Sequence, residues 1–136
     1  MTAPLSGVKI LELASIVLGP LAGQYLGDMG ADVIKIEPPE GDLTRIQGPS
    51  RSEKMSALFL CCNRNKRSVV IDLKADRGRS LLLKLVGAVD VLVENFRTGT
   101  LESWGLGWED LHEINPRLVM LRVTGFGQTG PYARRA

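Results

Sequence analysis

Several residue types that would point to a particular class of function are scarce in this chain of 136 residues. Aromatic residues account for only 5% of it, which is thin for a surface that stacks nucleic-acid bases. The single histidine is His112, and the two cysteines, Cys61 and Cys62, are adjacent. Adjacent cysteines point apart in an extended chain. No Cys-x-x-Cys pair or histidine cluster accompanies them, so we expect no disulfide and no metal site.

Charge and hydropathy give no reason to expect two further kinds of partner. The 17 basic and 15 acidic residues leave a net charge of +2, which does not favour a polyanion such as a nucleic acid. No apolar run reaches the ~18 residues that a membrane-spanning helix needs, and no basic-then-apolar signal peptide opens the chain. Because its thiols are expected to be buried and reduced, we predict a cytoplasmic protein with no membrane partner.

The residues that are present are typical of an α/β domain, with 44% hydrophobic and 24% charged. The apolar patterns alternate between short strands and longer amphipathic helices. This alternation predicts one domain, residues 1–136, built as a Rossmann-like parallel sheet flanked by helices. Strands are predicted at residues 8–13, 31–37, 68–73, 90–93 and 118–123, and helices at residues 20–29, 76–86 and 108–114.

Two segments between these elements are less regular. Residues 38–56 are rich in proline, glycine, serine and charge, which predicts a long surface loop. The short apolar run at residues 57–62 fits either a helix or a strand. In the last helix, His112 is expected on the solvated side.

The most informative stretch is residues 89–97, in which a buried strand turns abruptly polar. The carboxyl end of a strand in an open parallel sheet faces the crevice where ligands bind. Glu94, Asn95 and Arg97 are therefore expected at that mouth, with Phe96 as an apolar wall. Contact with a ligand and a structural cap of the strand end remain equally open for this tip.

Two other segments have both a functional and a structural interpretation. The first strand–helix loop, residues 15–20, precedes a helix N-terminus, where backbone N–H groups favour anions. It lacks the glycine spacing of a phosphate loop, so packing against a neighbour is the alternative. Residues 63–68 carry three cations, which suit either a phosphate or a solvated charged surface.

A Gly-x-Gly-x-x-Gly pattern at residues 125–130 follows the last strand. A dinucleotide site would also need a following helix and an acidic residue about 20 positions later. Because no second strand–helix unit follows, the glycines are interpreted as a tight turn, and NAD binding is not expected. No catalytic set is evident either, since Glu37, Asp72 and Glu94 have no acid or base partner in the sequence. The residues alone predict a parallel α/β domain with a polar ligand crevice at the strand ends.

Taken in order, these motifs are far more specific than any one of them. The series strongly resembles the N-terminal part of family III coenzyme A transferases, the carnitine dehydratase and bile-acid-inducible protein F type. Formyl-CoA transferase and α-methylacyl-CoA racemase are similar relatives. The resemblance covers nearly the whole chain and rests on residues 7–13, 19–20, 30–39, 63–68, 72–74, 90–96, 115–119 and 125–132.

The resemblance implies that this chain is part of an incomplete large domain that binds the CoA moiety of an acyl-CoA substrate, with no covalently bound cofactor. It implies Lys74 as a contact of a CoA phosphate or ribose, and Asn95 and Phe96 as contacts of pantetheine or adenine. Some relatives have arginine where Pro38 and Ser103 stand, so contacts at those two positions are not expected. The full set of implied CoA-binding residues is Val17, Leu18, Ile71, Asp72, Leu73, Lys74, Asn95, Phe96 and Arg97, and excludes the basic cluster Arg64, Lys66 and Arg67.

In the transferases an aspartate attacks the thioester and forms covalent intermediates through its carboxylate. The resemblance places that aspartate beyond Ala136, so the chain alone is expected to bind acyl-CoA and to be inactive. It implies CoA transfer between an acyl-CoA and a carboxylic acid by an interlocked homodimer. A racemase that moves a proton beside the thioester and a non-catalytic CoA-binding module are the alternatives.

Overall fold

A five-stranded, entirely parallel sheet forms the centre of the chain, whose computed structural model describes residues 2–135. Its strand order is β3-β2-β1-β4-β5, which confirms the predicted Rossmann-like sheet. Because the chain moves outward from β1 first to one side and then to the other, the ends of β1 and β4 form a topological switch point. The strands are β1 (Lys9–Glu12), β2 (Asp32–Glu37), β3 (Lys66–Val70), β4 (Val91–Glu94) and β5 (Val119–Arg122).

Helices cover both faces of this sheet. The five are α1 (Leu18–Asp28), α2 (Ala57–Asn63), α3 (Asp76–Val86), α4 (Thr100–Ser103) and α5 (Trp108–Ile114), and a short 3₁₀ helix spans Leu43–Ile46. Helices α1 and α2 pack beside each other, whereas α3, α4 and α5 contribute to the core on the opposite face. No helix within residues 2–135 is long and apolar enough to cross a membrane.

The hydrophobic core is divided by the sheet into a larger and a smaller part. The larger part joins the sheet to α3, α4 and α5 through fully buried leucines, among them Leu82, Leu92, Leu101 and Leu111. Each such side chain contributes about 1.5–3 kcal/mol by its removal from water. The smaller part lies under α1 and includes Ile10, Ala14, Ala31, Val33 and Val93.

The glycines of α1 let this helix lie unusually close to β1. Gly19, Gly23 and Gly27 follow one another at intervals of four residues and share one face of the helix. A Cβ atom on Gly23 would collide with a carboxylate oxygen of Glu12, and one on Gly19 would collide with the side chain of Ala14. Glycine is therefore required at Gly19 and Gly23, because the backbone of α1 lies so close to Ala14 and Glu12.

Three segments differ from the sequence-based expectations. The ambiguous residues 57–62 belong to α2, because the Ser56 side chain accepts a hydrogen bond from the Phe59 N–H and caps a helix. Residues 38–56 are not a plain surface loop, since Asp42 and Thr44 are buried within them. The third predicted strand, residues 68–73, begins and ends earlier as β3, and α4 was not predicted at all.

The shift of β3 has a packing cause. Ile71 and Leu73 leave the sheet and enter the larger core, so the apolar pattern of a strand continues past the last paired residue, Val70. One further backbone hydrogen bond to β2, from the Ile71 N–H to the carbonyl of Glu37 at 2.9 Å, lies where the chain leaves the sheet.

The close approach of α1 predicts a large effect of a small substitution. Gly23→Ala should lower the free energy of unfolding by about 2 kcal/mol, because the new methyl group forces α1 away from Glu12. Chemical denaturation measures this loss. Gly87→Ala is the matched control, since Gly87 has helical φ and ψ of −63° and −13° and only ordinary contacts around a Cβ. An equal loss in both variants would contradict the argument.

Candidate functional site

A cavity of about 1120 Å³ opens at the carboxyl ends of β1, β4 and β5. It lies at the switch point of the sheet, where the crevice of an open α/β fold binds its ligand. Three segments form its wall: the loop between β1 and α1, the segment from β4 into α4, and the segment after β5. The lining residues are Ile16, Val17, Leu18, Asn95, Phe96, Arg97, Thr98, Gly99, Thr100, Ser103, Val123, Thr124, Gly125, Phe126, Gln128, Thr129, Gly130, Pro131, Ala133, Arg134 and Arg135.

The charge of this lining has one sign. Arg97, Arg134 and Arg135 contribute to it, and no aspartate or glutamate of the described chain does. The first turn of α1, an 11-residue helix, also opens here, and its free backbone N–H groups favour negative charge. Arginines beside threonine hydroxyls and apolar side chains suit an anionic ligand that also carries an uncharged part.

The tip after β4 is built around Glu94. One oxygen of this buried carboxylate accepts a hydrogen bond from the Phe96 N–H at 2.7 Å, and the other meets Nε of Arg122 at 2.6 Å. Arg122 also pairs with Glu102 of α4 at 2.6 Å. The Phe96 ring meets Trp104 edge-on, with the ring centres 5.5 Å apart. These contacts hold Phe96 as part of the cavity wall, as the sequence predicted.

Asn95 fastens the first loop to the end of β4. Its side-chain oxygen accepts from the Ser15 N–H at 2.9 Å, and its amide nitrogen donates to the Ser15 carbonyl at 2.8 Å. Of the two interpretations left open for this tip, the structure therefore supplies the structural one for Asn95. Contact of Asn95 with a ligand stays a prediction.

The predicted site residues fall into two groups. Val17, Leu18, Asn95, Phe96 and Arg97 all line the cavity. The four residues from Ile71 to Lys74 do not, although they follow β3 and so lie at the same edge of the sheet, two strands away from β1.

The side chains of this second group point in different directions. Ile71 and Leu73 are only 4% and 9% exposed and belong to the core. Asp72 accepts from the backbone N–H of Lys74 at 2.9 Å, and the Lys74 side chain is exposed. Lys74 is therefore the member of this group whose side chain is free to meet a ligand.

Sequence reasoning missed the part of the wall that follows β5. The Gly-x-Gly-x-x-Gly segment forms turns, with φ of +80° at Gly127 and +88° at Gly130, and only turns follow it up to Arg135. Thr98 and Gln128 also line the cavity, and their buried polar atoms have no hydrogen-bond partner within the described chain. The signal that could have found these residues is the pairing of β5 with β4, which brings both strand ends to one place.

A buried ionic network stands beside the cavity, under the first loop. Nζ of Lys35 lies 3.0 Å from Glu12 and 2.9 Å from Asp42, and it donates to the carbonyl of Ala14 at 2.7 Å. The side chains of Lys35, Glu12 and Asp42 are each at most 1% exposed. Because every charge has an opposite partner, the network fixes the start of the loop without presenting free charge.

Lys66 belongs to the same network. Its Nζ lies 2.8 Å from Glu12 and donates to the carbonyl groups of Pro20 and Cys62 and to the side chain of Asn63 at 2.7–3.0 Å. Burial lowers the pKa of Lys66, partly offset by the attraction of Glu12. Lys66 has no hydrogen-bonding capacity left for a phosphate.

The other two cations of that basic stretch form ion pairs at the surface. Arg64 pairs with Asp28 at 2.5 Å and Arg67 with Asp32 at 2.6 Å. The three cations thus connect β3 and the segment before it to α1, β1 and β2, and none of them lines the cavity.

Glu37, which was expected to lack a partner, has several. Arg45 grips both of its oxygens at 2.6 and 2.7 Å, and the Ser68 hydroxyl donates at 2.5 Å. Burial opposes ionisation of Glu37, but these bonds and one from the Asp42 N–H outweigh it and lower the pKa from 4.5 to about 2.

Comparison with known proteins gives one consistent family. The family described as CoA-transferase family III matches residues 5–136. The chain is 52% identical over 134 residues to a succinyl-CoA–D-citramalate CoA-transferase of Chloroflexus aurantiacus, covering 98% of this chain and 33% of that protein. It is 50% identical over 137 aligned residues to a succinate–glutarate CoA-transferase of Agrobacterium fabrum, covering 96% of this chain and 34% of that protein.

Solved structures agree with this. A CAIB/BAIF family protein from Brucella suis superposes with a TM-score of 0.94 at 50% identity, over 100% of this chain and 37% of that one. The chain therefore spans about one third of the length of the curated relatives that it matches.

The Glu37 pair predicts a specific dependence of stability on pH. Because the folded-state pKa of about 2 lies below the ordinary 4.5, the stabilisation is complete above pH ~4.5 and is lost as the pH falls toward 2. Glu37→Gln should flatten the curve of unfolding free energy in that window, where the native chain loses a few kcal/mol. Glu40→Gln, at an exposed position, is the control and should keep the native slope. Identical slopes in all three proteins would refute the assignment.

Proposed function

This chain belongs to CoA-transferase family III, and we propose that the whole protein transfers CoA between an acyl-CoA and a carboxylic acid. The observation that carries this proposal is the cavity at the switch point, lined by three arginines and by no carboxylate of residues 2–135. CoA combines several phosphates with an uncharged pantetheine arm, and both parts find matching groups there. The relatives named as CoA-transferases for succinate, glutarate and citramalate support the same reaction.

Residues 1–136 are proposed to form the CoA-binding portion of a large domain. Arg97, Arg134 and Arg135 would hold phosphates by charge-assisted hydrogen bonds. Val17, Leu18 and Phe96 would line the path of the pantetheine arm. Lys74, exposed at the same sheet edge, is proposed to reach the ribose or its phosphate.

The nucleophile is proposed to come from polypeptide outside these residues. A carboxylate that attacks the thioester must sit beside the bound thioester carbon, and no carboxylate within residues 2–135 lines the cavity. The chain matches about one third of its relatives' length, so the remaining two thirds have room for the group. Under this proposal, residues 1–136 bind CoA and another part of the polypeptide carries out the covalent chemistry.

We propose further that the whole protein is a homodimer. Both edge strands expose apolar residues, with Val70 of β3 and Val119 of β5 each 60% exposed, and uncovered edges of this kind favour association. Two relatives are named as the alpha and beta subunits of a succinyl-CoA–L-malate CoA-transferase, which supports association between related chains. A monomer mass for the whole protein in sedimentation velocity at micromolar concentration would contradict this.

The reaction is tested with the whole protein, succinyl-CoA and a second dicarboxylic acid. Mass spectrometry should detect the CoA thioester of the second acid together with an equal amount of free succinate. Deuterium uptake beside the thioester in D₂O, without any new thioester, would identify a racemase-type enzyme instead. Binding of CoA with neither reaction would identify a non-catalytic module. Either result would overturn the transferase assignment.

The anion site is tested at Arg97 by calorimetric binding to the whole protein. Arg97→Gln should weaken CoA binding about tenfold, the size of one charge-assisted hydrogen bond. Pantetheine, which lacks the phosphates, should bind both proteins equally. Arg77→Gln is the control, because Arg77 is an exposed arginine of α3 that does not line the cavity. Loss of pantetheine affinity in Arg97→Gln would contradict a phosphate role.

A further inference from the structure

The Asn95 side chain acts as an extension of the sheet. Strands β1 and β4 pair as parallel neighbours. The last backbone hydrogen bond between the two segments runs from the Leu13 N–H to the carbonyl of Val93 at 2.7 Å. Two residues further along each segment, the Asn95 carboxamide meets the backbone N–H and carbonyl of Ser15 in the same manner. It therefore holds the two peptide groups on either side of Ser15 in a defined orientation after the backbone ladder has ended.

The next residue of the loop is in an unfavourable conformation. Ile16 has φ of +71°, a left-handed value that is a genuine outlier for a β-branched residue. Such a conformation persists only where the surroundings impose it. The Ile16 side chain is 39% exposed, so tight packing around it is not the cause.

Hydrogen bonds at the Ile16 N–H and at the preceding residue, Ser15, identify what imposes this conformation. The Ile16 N–H faces an oxygen of Asp42 at 3.5 Å, which is at the outer limit of a hydrogen bond. The bonds to Ser15 from Asn95, at 2.8 and 2.9 Å, are short and come in a pair. Asn95 is thus the main restraint on the peptide that leads into Ile16.

The conformation of Ile16 decides how the ligand wall begins. Val17 is the N-cap residue of α1 and Leu18 is its first residue, and both line the cavity. A change of φ at Ile16 from positive to negative would swing these two residues and redirect the free N–H groups of the first helical turn.

We propose that Asn95 is a positioning residue, which holds Ile16 in the left-handed conformation through Ser15 and so presents the start of α1 to the ligand. This role acts through Ser15 and Ile16 and does not require contact between Asn95 and CoA. The choice of CoA as the ligand rests on the proposed function, whereas the conformational restraint does not.

A double-mutant cycle in the whole protein tests the proposal. Glycine adopts positive φ without a steric cost, so Ile16→Gly removes the need for the restraint, and Ile16→Val, which stays β-branched, keeps it. Asn95→Ala should weaken CoA binding about tenfold in the native and Ile16→Val backgrounds, and less than threefold in the Ile16→Gly background. Calorimetric titration with CoA gives the six affinities. An equal loss in all three backgrounds would mean direct contact with the ligand, and no loss in any would mean that Asn95 is dispensable; either would overturn the proposal.

A structural measurement separates this proposal from the assignment of CoA. Crystal structures of the Asn95→Ala protein should show negative φ at Ile16, while the Asn95→Ala, Ile16→Gly double variant should keep positive φ at that position. If neither the native protein nor any variant binds CoA, the proposed function fails, but the φ values at position 16 still test the positioning role of Asn95. Retention of positive φ at Ile16 in the Asn95→Ala protein would refute it.

Discussion

The buried carboxylate of Glu12 is the group on which the rest of this structure depends. It ends the central strand β1 and is fully buried, and it is neutralised by Lys35 from β2 and Lys66 from β3. Removing one partner from a buried pair leaves an uncompensated charge, at a cost of about 3–5 kcal/mol. Since the two lysines also bind carbonyl groups of the first loop, α1 and α2, a single ionic cluster connects three strands and two helices.

The same arrangement recurs at the ends of β2 and β4. Glu37 ends β2 and is held by Arg45, and Glu94 ends β4 and is held by Arg122. Each of these carboxylates also accepts a backbone N–H of the residues that follow, Asp42 and Phe96 respectively. At these two positions, a glutamate at the carboxyl end of a strand thus ties the following segment to the sheet.

Much of the fold follows from local sequence, whereas these ionic contacts do not. The helix from Trp108 to Ile114 and the parallel character of the sheet follow from apolar periodicity and from the alternation of strands with helices. The same periodicity misplaced β3, because a core residue such as Ile71 is apolar whether or not it is in a strand. Glu37 and Glu94 looked unpartnered because their arginines lie 8 and 28 residues away in the chain, a separation that only the folded topology closes.

The cavity can bind an anion because the cations that line it differ from the cations that are paired with carboxylates elsewhere in the fold. Four cations are paired with carboxylates inside the fold, namely Lys35, Lys66, Arg45 and Arg122. Their charges are neutralised there and do not add to the charge of the cavity. The arginines in the cavity lining have no carboxylate beside them in that lining. A nearly neutral chain therefore presents a locally positive surface, because none of the acidic residues within residues 2–135 lines the cavity. The buried glutamates thus separate two kinds of cation: those that hold the loops to the sheet and those that line the cavity.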